Sequence, residues 1–313
     1  MNAVLLGFRL GTTLAPLVPR RLLVAAALLL ADRLAARDTP QNRAHRRNIA
    51  RVVGGDPADP QVRELARQAV RVQTLNYLDL FRSRRVRPKD VLARVEVAGL
   101  DHLKQALAGG RGAIVVSGHV GSVDMAGLAI TALGIPGAAL VEPLEPPALF
   151  ELVATLRRRF GARLIPLGPD ALKQAGAALR QNLALGIAID WDIGGTGLEI
   201  PLFGHRMRLP GGPAILALRH GAPIVPVTCL RVGTERFSLT FEPPLPATET
   251  GSLQTRVRET TIQIGSFLER QLRGHPNQWV MFHNVWADPL DGEFPTIAPG
   301  GRQYGDRLAA RDA

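Results

Sequence analysis

Residues 112–128, GAIVVSGHVGSVDMAGL, set a histidine and a carboxylate five positions apart at a junction that reads as strand into helix. Ile114, Val115 and Val116 form the short β-branched run that fills a buried parallel strand. Gly118 and Gly121 interrupt it, Ser122 is a helix-capping residue, and Val123, Ala126, Gly127 and Ala129 supply a small apolar helix face. In open α/β sheets ligands bind beyond the carboxyl ends of the strands, which is where this loop falls. His119 is therefore expected at the lip of a cleft with Asp124 one helical turn behind it. There the carboxylate would hold one ring nitrogen and its tautomer, leaving the other nitrogen to take a proton from a hydroxyl.

Spacing alone does not decide the matter. With seven histidines and 27 acidic residues in 313, chance supplies roughly 0.6 such His-x4-Asp/Glu pairs. A second pair, His283 with Asp288, stands in FHNVWADP, where Ala287-Asp288-Pro289 reads as a turn. The first pair follows an apolar strand and opens a glycine-flanked helix. A core or surface histidine without chemistry fits the bare spacing equally well.

Outward from this unit, strand and helix signals alternate. Strands are expected at 95–97, 138–141, 163–166, 186–190, 198–202, 224–230 and 237–241, and helices at 100–107, 147–160, 170–182, 213–220 and 255–273. The pattern predicts an α/β fold with a mostly parallel central sheet flanked by helices. Before it, RNIARVVGG closes one helix, and Val62, Leu65, Ala66, Ala69, Val72, Leu75 and Leu78 recur at helical spacing towards Phe81. The expected organisation is an N-terminal helical, membrane-docking region over 1–85, a catalytic α/β domain over 86–290 and a loose tail over 291–313, rich in Gly, Pro and charge. Arg82 to Lys89, RSRRVRPK, reads as a basic connector, either solvated or against acidic lipid.

The net charge is +11, and Lys89, Lys104 and Lys173 are the only lysines, so arginine carries almost all of it. Arginine forks suit phosphates. Zinc spacing, a helix-turn-helix signature and basic-aromatic interleaving are all missing, which argues against nucleic acid and for an anionic membrane surface. One cysteine, Cys229, excludes an intrachain disulfide; in IVPVTCL it reads as a buried, inert thiol. Leu22 to Ala31 are ten apolar residues, half of the roughly 20 that span a bilayer. One or two helices lying at the membrane are expected there, with Arg9, Arg20, Arg21, Arg33 and Arg37 at headgroup level; packing on the catalytic domain is the plainer alternative.

Further blocks carry a resemblance. GHVGSVDMAG resembles the His-x4-Asp block of bacterial lysophospholipid acyltransferases, in the branch that holds the lipid A lauroyl/myristoyl and phosphatidylinositol mannoside acyltransferases. Segments 142–167, 190–204, 209–227 and 276–286 follow in the same order, and NRAHRRNIARVVG (42–54) resembles the basic segment preceding the catalytic domain, so that roughly residues 5 to 290 are covered. The mannoside branch is the more similar, although Ser122-Val123 stand where it has Asn-Trp. The resemblance implies His119 as base, Asp124 as its partner, and Asp190 as a functional acid, with Trp191 in place of an arginine. It also implies Arg157 and Thr196 at the acyl donor and Glu142 beside the acceptor. Arg206, Arg208 and Arg219, around the LPGGP turn, are expected to meet phosphate. The backbone amides of Gly121 and Ser122 are candidates to hold the oxyanion.

Motifs, charge and resemblance together predict an O-acyltransferase, peripheral on the cytoplasmic face of a bacterial inner membrane. It would move a fatty chain from acyl-CoA or acyl-carrier protein to a hydroxyl of a membrane lipid or glycolipid. No metal and no prosthetic group is implied. Competing readings are a lipid esterase, which lacks a Gly-x-Ser-x-Gly elbow here, and a non-catalytic lipid-binding protein. The Trp279–Trp286 segment reads as packing.

Overall fold

The structure, a computed structural model, describes residues 3–158 and 161–287. Asp288, the tail over 291–313 and the end of the helix expected over 147–160 lie outside the described residues. Four helices come first: α1 (Ala3–Leu14), α2 (Arg20–Ala35), α3 (Pro40–Val53) and α4 (Pro60–Arg82). Thr39 caps α3, its Oγ1 accepting from Asn42 N at 3.1 Å, and Gly54 at φ 72° ends it. After the short α5 (Pro88–Leu92), whose first two residues end the expected basic connector, strands and helices alternate. They are β1 (Val95–Ala98), α6 (Leu100–Ala108), β2 (Ala113–Ser117), α7 (Val123–Ala132), β3 (Gly137–Val141), α8 (Pro147–Arg157), β4 (Arg163–Pro166) and α9 (Ala171–Arg180). Then come β5 (Ala184–Ala188), β6 (Leu198–Leu202), β7 (His205–Leu209), α10 (Gly212–His220), β8 (Ile224–Val232), β9 (Arg236–Phe241) and α11 (Leu253–Gly274).

Seven strands form one sheet in the order β1-β9-β8-β2-β5-β3-β4. β8, β2, β5, β3 and β4 run parallel; β9 turns back antiparallel on β8, and β1 pairs parallel with β9. The expected mostly parallel α/β fold is therefore present. β2 lies at its centre with both faces buried, as its unbroken apolar run requires. Ile114 and Val116 pack into a core shared with α9, α10 and α11, while Val115 joins the opposite core with α6 and α7. The segment 198–202 does form a strand, but it pairs with β7, which the sequence reading did not anticipate, in a separate antiparallel hairpin. Among the described residues no helix is long and apolar enough to cross a membrane.

The N-terminal helices are joined to the sheet by polar as well as apolar contacts. Ala15, Leu75 and Leu78 are buried together with parts of Leu23, Ala27 and Leu28, so the packed alternative holds for one face of α1 and α2. Arg20, expected at headgroup level, instead turns inward to Asp79 (2.8 Å). Asp79 is buried and also takes Arg94 (2.8 Å) and Arg231 (2.7 Å). Burial alone would raise its carboxyl, but the three guanidiniums hold it below the usual carboxylate range.

Candidate active site

β2 and β5 are adjacent and parallel, with Ser117 opposite Ala188, so the chain leaves both strands on the same edge of the sheet. Two residues beyond each strand stand His119 and Asp190. Asp190 Oδ1 accepts from His119 Nδ1 at 2.7 Å, while its Oδ2 accepts from the His119 backbone N–H (2.7 Å) and from Trp279 Nε1 (2.9 Å). Asp190 is fully buried; the His119 side chain keeps 34% exposure and lines a cavity of about 1500 Å³. With Nδ1 turned to the buried acid, Nε2 is the nitrogen on the cavity side.

The electrostatics fit an ionised acid beside a basic ring. Burial would lower the His119 pKa, yet the Asp190 carboxylate outweighs it and the pKa is raised above the ordinary histidine value. Burial would raise the Asp190 pKa, but His119, the backbone bond and the Trp279 indole together lower it.

Two expectations are corrected by this geometry. Asp124 does not hold the His119 ring. Its carboxylate faces Arg157, with Nε at 2.7 Å from Oδ1 and Nη2 at 3.4 Å from Oδ2, at the cavity wall. Asp124 sits on the second residue of α7, where an acid meets the positive helix end, and the deeper, desolvated Asp190 is the one reached by Nδ1. Nor are the Gly121 and Ser122 amides free for an oxyanion: they donate to Gln278 O (2.9 Å) and Cys229 O (2.8 Å). A loop annealed between two neighbouring segments must pair its buried amides. Gly121 has φ 73°, and a Cβ there would stand 2.1 Å from Cys229 O, so only glycine permits this approach. Ser122 caps α7 by accepting from Met125 N at 3.3 Å, which leaves the first-turn amides of Val123 and Asp124 without an intrahelical acceptor.

Of the other expected residues, Glu142, Arg157 and Thr196 line the cavity with Gly121, Ser122 and Asp124. Burial raises the Glu142 pKa, which His119 partly offsets. Arg206 and Arg219 are outside the lining: Arg206 pairs with Glu199 on the β6–β7 hairpin (2.9 Å), and Arg219 is exposed on α10. Arg208, on the same hairpin, does line the cavity. Cys229 is buried and its thiol is pushed up to about 12, so it is inert as expected. His283 lines the same cavity, stacked on Trp191 at 4.1 Å, and burial lowers its pKa. Among the described residues no three His, Cys, Asp or Glu gather as metal ligands would.

The sequence reading missed the residues that carry this pair from behind. Trp279 was assigned to packing, yet its indole touches the acid directly. Its segment crosses the His119 loop, with Val280 N donating to His119 O at 2.8 Å. His45 and Asn48, one helical turn apart on α3, anchor that segment. His45 Nε2 donates to Trp279 O (3.0 Å), and Asn48 donates to Met281 O and His283 O while accepting from Trp286 Nε1. From α4, Asn76 donates to Gly121 O at 2.7 Å and accepts from Arg231 at 2.7 Å. The i, i+3 spacing of His45 and Asn48 in an otherwise basic helix was the available signal.

His45 makes the anchor acid-labile. Burial lowers its pKa from 6.5 to about 4, so the folded state needs it neutral. Below pH 6.5 the unfolded chain binds the proton and the fold does not, so stability falls as pH drops from 6.5 towards 4, by about 3 kcal/mol in total. Urea midpoints at pH 7 and pH 4.5 are expected to differ less in His45→Gln than in wild type; an equal pH slope in both proteins would contradict this.

Comparison with known proteins agrees with this architecture. The sequence profile of the family described as bacterial lipid A biosynthesis acyltransferase matches residues 4–288. The chain is 30% identical over 258 residues to the phosphatidylinositol mannoside acyltransferase of Mycobacterium tuberculosis strain H37Rv, covering 78% of this chain and 77% of that protein. It is 29% identical over 251 residues to the Mycolicibacterium smegmatis protein of the same name, covering 79% and 80%. To the lipid A biosynthesis palmitoleoyltransferase of Escherichia coli K12 it is 27% identical over 200 residues, 63% of each.

Proposed function

The chain belongs to the bacterial lipid A biosynthesis acyltransferase family and is an acyltransferase, and on that premise we propose that it moves a fatty acyl group from a thioester to a lipid or glycolipid hydroxyl with His119 as general base. The observation that carries this reading is the His119–Asp190 pair, buried on the acid's side and open to a large cavity on the other. An ionised Asp190 accepts from Nδ1–H and fixes the tautomer that leaves the Nε2 lone pair for the acceptor hydroxyl. As that oxygen attacks the thioester carbonyl, the proton passes to Nε2, and Asp190 stabilises the imidazolium. The same proton then goes to the departing thiolate. Negative charge on the carbonyl oxygen falls to the first-turn amides of α7 and to the positive end of that helix. Arg157, held on Asp124, and Thr196 line the cavity where the donor's phosphates and amides would lie. Free energy for the transfer comes from the thioester.

The acceptor reaches this site from a membrane surface in the same proposal. α1, α2 and the turns that follow them present Leu10, Leu14, Leu17, Leu22 and Leu29 on their outer side, Leu17 and Leu22 more than 60% exposed, with exposed Arg9, Arg21, Arg33 and Arg37 among them. Apolar faces fringed by arginine suit the headgroup boundary of an anionic bilayer. α1 also carries Phe8 into the cavity lining, so the surface and the site are continuous. Leu17→Glu with Leu22→Glu is expected to weaken sedimentation with phosphatidylglycerol vesicles about tenfold or more; undiminished binding would refute the docking surface.

The reaction itself is tested by incubating the protein with extracted bacterial membranes and radiolabelled hexadecanoyl thioesters of coenzyme A and of acyl-carrier protein. Label is expected in an ester-linked lipid, from at least one donor, and none on the protein after denaturation. Failure with both donors would overturn the acyl-transfer reading, and stable label on the chain would overturn the direct mechanism.

A further inference from the structure

We propose that Gly186, with Ala139 beside it, gauges acyl-chain length, in a lane running from His119 down between the sheet and α7. The inference rests on the acyl-transfer reading above. β5 lies between β2 and β3, and β3 between β5 and β4, so residues on both strands are flanked by sheet on each side. Yet Gly186 and Ala139, register partners on β5 and β3, remain partly accessible and line the cavity. Glycine inside a central strand gives up packing, and it marks places where another group approaches the backbone closely. A Cβ at Gly186 would meet only Ala138 O at 3.7 Å and Ala139 Cβ at 3.8 Å, ordinary contacts within the sheet, so the space above it is open.

The same sheet face continues in both directions. Towards His119 it has Ser117 and Ala188; away from it, Ala184 and Gly137, again register partners. All four line the cavity, and Ala126, Gly127 and Ile130 of α7 line it from above. At the far end the Thr131 hydroxyl is occupied by the Gly127 and Leu128 carbonyls at 3.0 and 3.1 Å. Small apolar side chains and no unpaired polar group suit an unbranched hydrocarbon and offer nothing to a sugar or phosphate.

Register converts the lane into a scale. Val115, the partner of Gly186, lies four residues before His119, about 13 Å of strand, and Ala113, the partner of Ala184, lies six before it, about 20 Å. A methylene zigzag advances about 1.3 Å per carbon. With its carbonyl at His119, a chain passes Gly186 at about the tenth carbon and Gly137 at about the fifteenth.

Two rungs give two cut-offs. Wild type is expected to accept a sixteen-carbon thioester. In Gly186→Leu the ratio of kcat/KM for sixteen- over ten-carbon thioesters should fall about 100-fold, and Ala139→Leu, on the same rung from the neighbouring strand, should reproduce it. Gly137→Val, where a Cβ meets only Ala184 O at 3.6 Å and Thr131 Cγ2 at 3.7 Å, should create no ten-carbon boundary and reduce only chains beyond about fifteen carbons. Calorimetric binding of non-transferable acyl thioether analogues of the same lengths should repeat the order without turnover, with folding of each variant confirmed by thermal melting. Unchanged length profiles in folded variants, in rates or in thioether binding, would overturn the gauge. Wild type that binds the long thioethers in this order but transfers no acyl group would instead overturn the proposed reaction and leave the gauge standing.

Discussion

Asp190→Asn is expected to lower kcat/KM by about 10⁴-fold while the protein stays folded, because the same exchange in an acid–histidine pair elsewhere costs that much through the wrong tautomer. The amide offers His119 Nδ1 an N–H as readily as a carbonyl oxygen, so the ring can turn its lone pair inward and its N–H towards the acceptor. The pH profile separates this from simple misfolding. Asp190 holds the His119 pKa above its ordinary value, so wild-type kcat/KM should fall on the acid side through an apparent pKa above 6.5. Without the carboxylate that limb should move to lower pH, alongside the drop in rate. Asp124→Asn, which disturbs only the pairing with Arg157, should cost less and should show more in KM than in kcat. Were Asp124→Asn the more damaging to kcat, or the acid limb unmoved in Asp190→Asn, the assignment of Asp190 as the ring's partner would be wrong.

Asp79→Ala is expected to cost about 3–5 kcal/mol of folding stability, as removal of one member of a buried ionic cluster leaves the others uncompensated. Arg231 is nearly without solvent and would lose the carboxylate at 2.7 Å; Arg20 and Arg94 would lose the same partner. The effect should reach the site, since Arg231 also holds Asn76, whose amide is bonded to the Gly121 carbonyl. Urea unfolding followed by circular dichroism measures the first, and the residual kcat of the folded fraction the second. A change below about 0.5 kcal/mol, the range of ordinary surface substitutions, would mean that the cluster is solvated and energetically idle.

How far the sequence led depended on whether the signal was local. The βα unit around His119 was legible because β-branched run, glycine break and capping serine lie within eleven residues. Asp190 ends the strand expected at 186–190 and is singled out by the resemblance; the register of Ser117 with Ala188 sets it on the same sheet edge as His119. The pairing itself was misassigned. Proximity in sequence favoured Asp124, whereas the fold brings Asp190 across 71 residues to a fully buried position, where its charge weighs most on the ring. β7 was overlooked because His205 takes the first place on the face of Met207 and Leu209, leaving only two apolar residues to mark the alternation. His45 and Asn48 act through backbone carbonyls of a distant segment, and Trp279 through its indole on the Asp190 carboxylate; no spacing rule encodes such partners.

The indole bonded to Asp190 comes from residue 279, some 160 positions downstream of His119. At ribosomal speeds of about 5–20 residues per second, the chain exists for roughly ten to thirty seconds with its base synthesised and its final brace still unmade. The leucine-bearing helices, made first, can meet a bilayer throughout that interval. Under the docking and chemistry proposed above, a nascent chain reaches its lipid before the His119–Asp190 pair is braced.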